Sequence, residues 1–305
     1  MKTVPRAAPI PRPPPRGRII GAYLRLTKPR IVELLLVTTV PAMILADRGL
    51  PSLGLIAATL AGGTLCAGGA NAVNQYLDRD IDEVMARTRH RPLPAHLIEP
   101  RRALAFGVAL VLAGFFWLYL TVNLLSAALS VAAAVFYVFV YTAWLKRTTP
   151  QNIVIGGAAG AVPVLVGWAA VEGRVGVPAL VMFAIVFLWT PPHFWALSLR
   201  YQRDYAAAGI PMLPVVAGRD ATTRQIVVYS YLLVASSLVL APVGHLGPVY
   251  VTAALVLGLL FVRGAHRLRR RGNPSASLGL FRYSIAYLAL LFASVAVDTI
   301  VSHGL

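Results

Sequence analysis

The sequence predicts an all-α fold: a polytopic membrane protein whose nine transmembrane helices bundle around a central cavity open to the cytoplasmic face. Three observations carry that expectation. Mean hydropathy is +0.71, with 58% hydrophobic and 13% charged residues, which lies outside the range of soluble domains. Apolar runs fall near 31–47, 53–77, 103–120, 122–144, 152–171, 177–199, 225–244, 247–264 and 280–302. Most are close to the ~20 residues that a helix needs to cross a bilayer. The basic residues are sorted as well. With the N-terminus placed inside, every Lys and Arg except Arg48 and Arg174 falls in the tail or an inner connection, as the positive-inside rule describes. The net charge of +17 therefore reads as a topology signal, and no basic soluble face is left for nucleic acid.

Taken in order, residues 1–30 hold PRAAPIPRPPPRGR, with too much proline and too few apolar residues to fold. They are expected to form a disordered basic cytoplasmic tail ahead of a membrane domain at 31–305. The first apolar run lacks a small-residue cleavage site and reads as a retained span, not a signal peptide. The second contains AGGTLCAGGA, a small-residue run suited to close helix packing. Its Cys66 is the only cysteine, so it allows neither an intramolecular disulfide nor a thiolate metal cluster and reads as packing. The outer connections ADRGLPS, TVN, EGRVGVP and GHLGP are short and nearly uncharged. The inner ones after spans two and six are longer. Each begins with acids and arginines and reaches a proline-bracketed stretch, RPLPA at 91–95 and PMLPV at 211–215. This predicts a weak repeat four helices apart, with both charged loops at one face over a shared cavity. Asp298, near the outer end of span nine, has no partner in sequence and is expected at the interface.

The densest charge lies in NQYLDRDIDEVMARTRHRPLPA, residues 74–95, which hold Asp78, Asp80, Asp82 and Glu83 with Arg79, Arg87, Arg89 and Arg91. In a helix, Asn74, Asp78 and Asp82 share a face, and two carboxylates spaced by four suit one divalent ion or a pair. Oxygen-only ligands suit Mg²⁺, which binds through one or two carboxylates plus substrate phosphates. Arg87 and Arg91 are placed to take the remaining phosphate charge, so that metal and arginines together hold a diphosphate. Asp80 and Glu83 point to the solvated face.

The second loop, RYQRDYAAAGIPMLP at 200–214, centres on Asp204, with Arg200 four residues before it, Arg203 beside it and Tyr205 able to donate to a phosphate oxygen. It reads either as part of a metal or arginine network or as a salt-bridged interfacial turn. Lys146, Arg147 and Asn152 lie on the same side of the membrane, as phosphate contacts or as simple topology determinants. His193 stands in WTPPHFWALS, where Pro191 and Pro192 are expected to kink or loosen span six. An ionisable residue flanked by Trp189, Phe194 and Trp195 suits a large flat aromatic ligand, and equally a satisfied polar group inside the bundle.

Asn74-x3-Asp78-x3-Asp82 resembles the first signature of the intramembrane prenyltransferases of the UbiA superfamily. NQYLDRDIDEVMARTRHRPLP, YTAWLKRTTPQNIVIGGAAGAVPVLVGWAA, FLWTPPHFWALSL and DYAAAGIPMLPVVAG are similar to the branch that farnesylates haem. The resemblance implies a nine-helix bundle in the bacterial inner membrane, with farnesyl diphosphate and haem b as substrates. The farnesyl group would pass to a haem vinyl group with addition of water, giving haem O. By position, Asn74, Asp78 and Asp82 would hold Mg²⁺-diphosphate beside Arg87 and Arg91, with Asp204 in the second site and His193 as a haem contact. A downstream haem-modifying enzyme or terminal oxidase assembly would take the product. Arg200 stands where many members have a second acid, which leaves one- and two-metal arrangements open. A quinone precursor or other aromatic acceptor is the alternative within this chemistry. A carrier of an anionic isoprenoid lipid is the alternative from another class, but it gains nothing from a carboxylate pair.

Overall fold

The computed structural model describes residues 16–302, apart from the side chains of residue 16 and residues 30–36. The described chain contains helices and no strand. Arg16–Thr27 (α1) leads into Pro29–Asp47 (α2) and Leu53–Leu77 (α3), which the six-residue Arg79–Val84 (α4) extends. Pro100–Thr121 (α5) and Leu124–Val135 (α6) follow. The latter passes into a π-helix, Phe136–Leu145, and a last turn, Lys146–Thr148 (α7). Asn152–Glu172 (α8) and Val177–Arg200 (α9) precede two short helices, Gln202–Ala207 (α10) and Leu213–Val216 (α11). Gly218–Gly244 (α12), Pro248–Arg271 (α13) and Pro274–Ser302 (α14) complete the chain.

Among the described residues, eight helical stretches are long and apolar enough to cross a membrane, and the apolar Val37–Asp47 part of α2 is shorter. The predicted count of nine is thus approximate, resting on α2 as the first span. Helices α5, α12 and α14 begin several residues before the apolar runs that predicted them, because their first turns are polar.

Helices adjacent in the chain pack in turn, and α14 returns to α2, which touches α3 and so closes the ring. Contacts of α2 with α8 and of α9 with α14 cross it. Polar caps fix several ends. Ser52 accepts from the Leu55 amide at 3.2 Å and Asn123 from the Ser126 amide at 2.8 Å. The α3–α5 pair depends on the small-residue run. A Cβ on Gly69 would lie 2.5 Å from the Gly107 carbonyl oxygen, and one on Gly114 would lie 2.6 Å from Cys66 Sγ. Cys66 is buried there, in the packing role its neighbours suggest.

One expectation needs correction. The tail was expected to lack structure through residue 30, but 16–27 form α1. Its Ala22 and Leu26 are buried against Ala72, Leu93, Ile98 and Ala103, so an apolar stripe outweighs the proline-rich composition that precedes it. Residues 1–15 lie outside the described residues. Helix α9 continues through Pro191 and Pro192, both buried, with α8, α12 and α14 packed against it. Asp298, near the end of α14, is 1% exposed and has a partner that the sequence did not show. Its carboxylate accepts from the Gly247 and Tyr250 amides at 2.5 and 3.1 Å, which caps the free N–H groups at the start of α13.

Candidate active site

The chain leaves α3 through Asp78, whose φ of −88° and ψ of 4° interrupt the helix. The ladder nonetheless continues, from the Asp78 amide to the Asn74 carbonyl at 2.9 Å and from the Asp82 amide to the Asp78 carbonyl at 2.8 Å. The four-residue spacing therefore survives. Asp78 and Asp82 turn inward, with side chains 1% and 3% exposed, while Asp80 and Glu83 face out.

Each buried acid has met a cation. Lys146 Nζ lies 2.5 Å from Asp78 Oδ2, and Arg91 Nη1 lies 2.9 and 2.8 Å from the two oxygens of Asp82. Asn74 Nδ2 donates to Asp78 Oδ2 at 2.8 Å and to Thr142 Oγ at 3.0 Å. Lys28 Nζ donates to Asn74 Oδ1 at 2.8 Å. Burial first, then the charges of Arg91 and Lys146, draw the Lys28 ammonium down to about 7, against the pull of Asp78 and Asp82. Asp78 Oδ1 and Arg87 Nε are buried without a hydrogen-bond partner. The site thus gathers Lys28, Arg87, Arg91 and Lys146 around Asp78 and Asp82, an excess of positive charge suited to an anion.

The two charged loops meet through Arg87. Its guanidinium lies 5.6 Å from the centre of the Tyr201 ring and hydrogen-bonds Tyr205, which is buried. Burial raises the Tyr205 hydroxyl above its ordinary value, so it remains a donor. Asp204 is half-buried near Tyr205, while Arg200 and Arg203 are exposed. Arg200 and Asp204 form no ion pair, because the helix breaks between them at Tyr201 and α10 restarts at Gln202.

Lys146 and Arg147 do not act together. Lys146 reaches in to Asp78, whereas Arg147 turns out to grip Asp80 with two 2.8 Å bonds, also donating to the Leu77 carbonyl. This pairing holds the Asp80 carboxyl at about 2. Asn152 is fully buried, but its amide turns back to the Thr149 carbonyl at 2.6 Å.

Below this mouth, a cavity of about 530 Å³ runs from Arg87 into the bundle, within the ~300–1,000 Å³ of small-molecule sites. Its wall is largely apolar and includes Tyr137, Tyr141, Trp189, His193, Phe194 and Phe281. Tyr137 and Tyr141 are stacked at 5.4 Å on the π-helix, whose wider turn also lets Thr142 Oγ reach both the Tyr137 carbonyl and Asn74. Lys28, Tyr137, Tyr141, Thr142 and Tyr201 are site residues that sequence reasoning missed. Lys28 was placed in the tail, although its position just before Pro29 at the head of an apolar run is a signal that a helix starts there.

Residues 35–293, most of the chain, match the model of the UbiA prenyltransferase family. The chain belongs to that family. A UbiA-family relative from Frankia alni, named protoheme IX farnesyltransferase, is 57% identical over 285 residues, 92% of this chain and 99% of its own. The UbiA fold is also seen in a solved structure of digeranylgeranylglyceryl phosphate synthase, with a TM-score of 0.76 at 17% identity, covering 92% of this chain and 99% of that one. A UbiA homologue from Archaeoglobus fulgidus, solved bound to GPP and Mg²⁺, has a TM-score of 0.65 at 17% identity, covering 90% and 99%. UbiA membership makes this chain a multi-pass membrane protein of the prenyltransferase class, in keeping with its apolar helices.

Proposed function

We propose that this chain transfers the farnesyl group of farnesyl diphosphate to a vinyl group of haem b with addition of water, giving haem O. The 57% identity to the Frankia alni protoheme IX farnesyltransferase across nearly its full length carries this reading. A cationic mouth above an apolar, aromatic-lined cavity supports it, since the donor needs a diphosphate clamp and both substrates need a dry, apolar chamber.

Among the described residues no three His, Cys, Asp or Glu side chains form a metal cage. The site instead fits a metal shared with the substrate: Asp78 Oδ1 is buried and unpartnered, and Asp78 and Asp82 are hard oxygen donors. The Archaeoglobus fulgidus homologue solved with GPP and Mg²⁺ supports that choice of ion. Mg²⁺ held by Asp78, Asp82 and the donor would neutralise charge on the leaving diphosphate. Lys28, Arg87, Arg91 and Lys146 supply the rest of the clamp, and Tyr205 is kept in place by Arg87. The allylic C1–O bond breaks with its electron pair leaving on diphosphate. The stacked faces of Tyr137 and Tyr141 stabilise the resulting cation. The terminal carbon of the haem vinyl group bonds to C1, water adds to the other vinyl carbon, and one proton is released. Asp204 sits beside this clamp as a further carboxylate. The mouth faces the cytoplasm, with the chain in the bacterial inner membrane and its C-terminus outside.

Purified protein in detergent, given haem b, farnesyl diphosphate and Mg²⁺, should yield a pigment heavier by one farnesyl unit plus water by mass spectrometry. EDTA should abolish it. Unchanged haem with released diphosphate would redirect the search to other aromatic acceptors. Unchanged haem with intact donor would favour a carrier.

A further inference from the structure

Away from the substrate site, charge gathers where α13 turns into α14. Between Asp220 and Asp298 the chain holds Arg224, Arg263, Arg267, Arg269, Arg270, Arg271 and Arg282, and no Asp or Glu. Topology alone would leave such a run as loose, solvated charge. Two of these arginines are instead built into a pocket. A cavity of about 350 Å³ opens between the last turns of α13 and the first turns of α14, and its lining includes Arg267, Arg271, Asn273, Ser275, Gly279 and Tyr283. Helix α13 runs the same way as α9, with α12 running back between them, so the pocket opens at the end of the bundle that carries the charged mouth.

Each wall has its own local cause. Arg267 and Arg271 stand four apart on α13 and so share one face. Among the described residues neither forms an ion pair. Gly279 lines the pocket from α14, where a Cβ would meet nothing within 4 Å. Asn273 Oδ1 accepts from the Ala276 amide at 2.8 Å, and its carbonyl accepts from the Ser277 amide at 3.3 Å. Ser275 keeps its amide and its hydroxyl without a protein partner among the described residues, at the positive end of a 29-residue helix. At the inner end the Tyr283 hydroxyl donates to the Leu257 carbonyl at 2.8 Å and closes the floor. Beyond it, on the same helix faces, Val256 and Leu260 of α13 and Leu290 of α14 are exposed. A topology signal needs charge, not a concave site with free donors above an apolar strip. Together these features describe the shape of an amphipathic anion, and paired guanidinium groups suit a phosphate.

We propose that this pocket binds the phosphate of an anionic phospholipid from the leaflet on the side of the mouth. Arg267, Arg271 and Ser275 are its donors, and the acyl chains lie along Val256, Leu260 and Leu290. A soluble phosphate would use the same donors but not the apolar strip, whereas an anionic lipid uses both. Bound there, the lipid bridges α13 and α14. The opposite face of α14 lines the substrate cavity through Phe281, Ile285 and Leu288, so the lipid braces a wall of that cavity without touching the substrates.

The test is native mass spectrometry of the purified full-length protein, titrated separately with phosphatidylglycerol, phosphatidylcholine and inorganic phosphate. Phosphatidylglycerol should fill a saturable site and raise the melting temperature, and phosphatidylcholine should do neither. Arg267→Gln and Arg271→Gln should each weaken that site about fivefold, and the double change on the order of twentyfold. Two further variants separate a built site from loose charge. Gly279→Leu keeps every charge but fills the cavity, and should abolish saturable binding. Arg269→Gln combined with Arg270→Gln removes the same charge outside the cavity, and should leave binding intact. Unchanged binding in Gly279→Leu, or equal loss in the Arg269 and Arg270 double variant, would reduce the cluster to a topology signal and overturn the site. No saturable phosphatidylglycerol binding, or equal binding of phosphatidylcholine, would overturn it as well. Inorganic phosphate that fills the site at the same concentrations as the lipid would overturn the lipid assignment in favour of a soluble anion. If the arginine variants do not fold, Gly279→Leu decides the question.

Discussion

Asp78 and Asp80 are two residues apart and have opposite fates, which makes them the sharpest test at the residue scale. Asp78 is buried with one oxygen on Lys146 and the other free, whereas the Asp80 side chain is 62% exposed and paired with Arg147. Asp78→Asn should lower product formation on the order of a hundredfold or more, since it removes charge where charge must be balanced during reaction. Asp80→Asn breaks an exposed pair worth ~1 kcal/mol or less and should leave most activity. Equal losses in the mass-spectrometric assay would mean that the functional face is misassigned. Lys28 gives a pH prediction. Its folded value of about 7 lies below the ordinary 10.5. Between those values the unfolded chain holds the extra proton, so stability rises with pH across this window, and the penalty is fully present below about 7. Thermal melts in EDTA should show that rise in the native protein and a flatter profile in Lys28→Met. The acids and arginines at 74–95 were legible because charge is rare in this chain. Lys28 was not, since nothing in sequence shows that α1 folds back to bring it against Asn74.

At the scale of the elements, helix positions were readable from apolar run length, and their ends less so, because polar first turns extend helices beyond the apolar core. The π-helix at Phe136–Leu145 had no sequence signal that composition could supply; FYVFVYTAWL reads as ordinary membrane helix. Its wider turn is what aims Thr142 at Asn74 while stacking Tyr137 on Tyr141. Close packing of α3 on α5 makes a second prediction. Gly107→Val would press a side chain against Val73 and the Gly69 carbonyl, at 2.8 and 2.9 Å already for the Cβ. It should cost about 1–3 kcal/mol or more, seen as a lower melting temperature in detergent. Asp298→Ala, which strips the cap from α13, should cost about 0.5–2 kcal/mol with little change in turnover, because it lies far from the mouth in sequence and caps only backbone.

At the scale of the whole molecule, the repeat suspected from two proline-bracketed loops has a structural counterpart. The long helices α3 and α9 are each followed by a six-residue helix, α4 and α10. The two loops meet where Arg87 touches Tyr201 and Tyr205. Orientation is testable by reporter fusion. Alkaline phosphatase joined after residue 95 should be inactive, and joined after residue 302 active; the reverse pattern would invert the topology and place the site outside. Sequence alone determined the membrane bundle, its sidedness as a proposal and the inward pair Asp78 and Asp82, because the cost of burying charge and backbone in hydrocarbon acts on every residue and leaves its mark in composition and spacing. Tertiary structure decided which cation meets which acid, that Arg147 turns away while Lys28 turns in, and that Ser284 holds His193. Those pairings join residues 46 to 91 positions apart, and their energies depend on distances of a few ångströms that only the packed helices set.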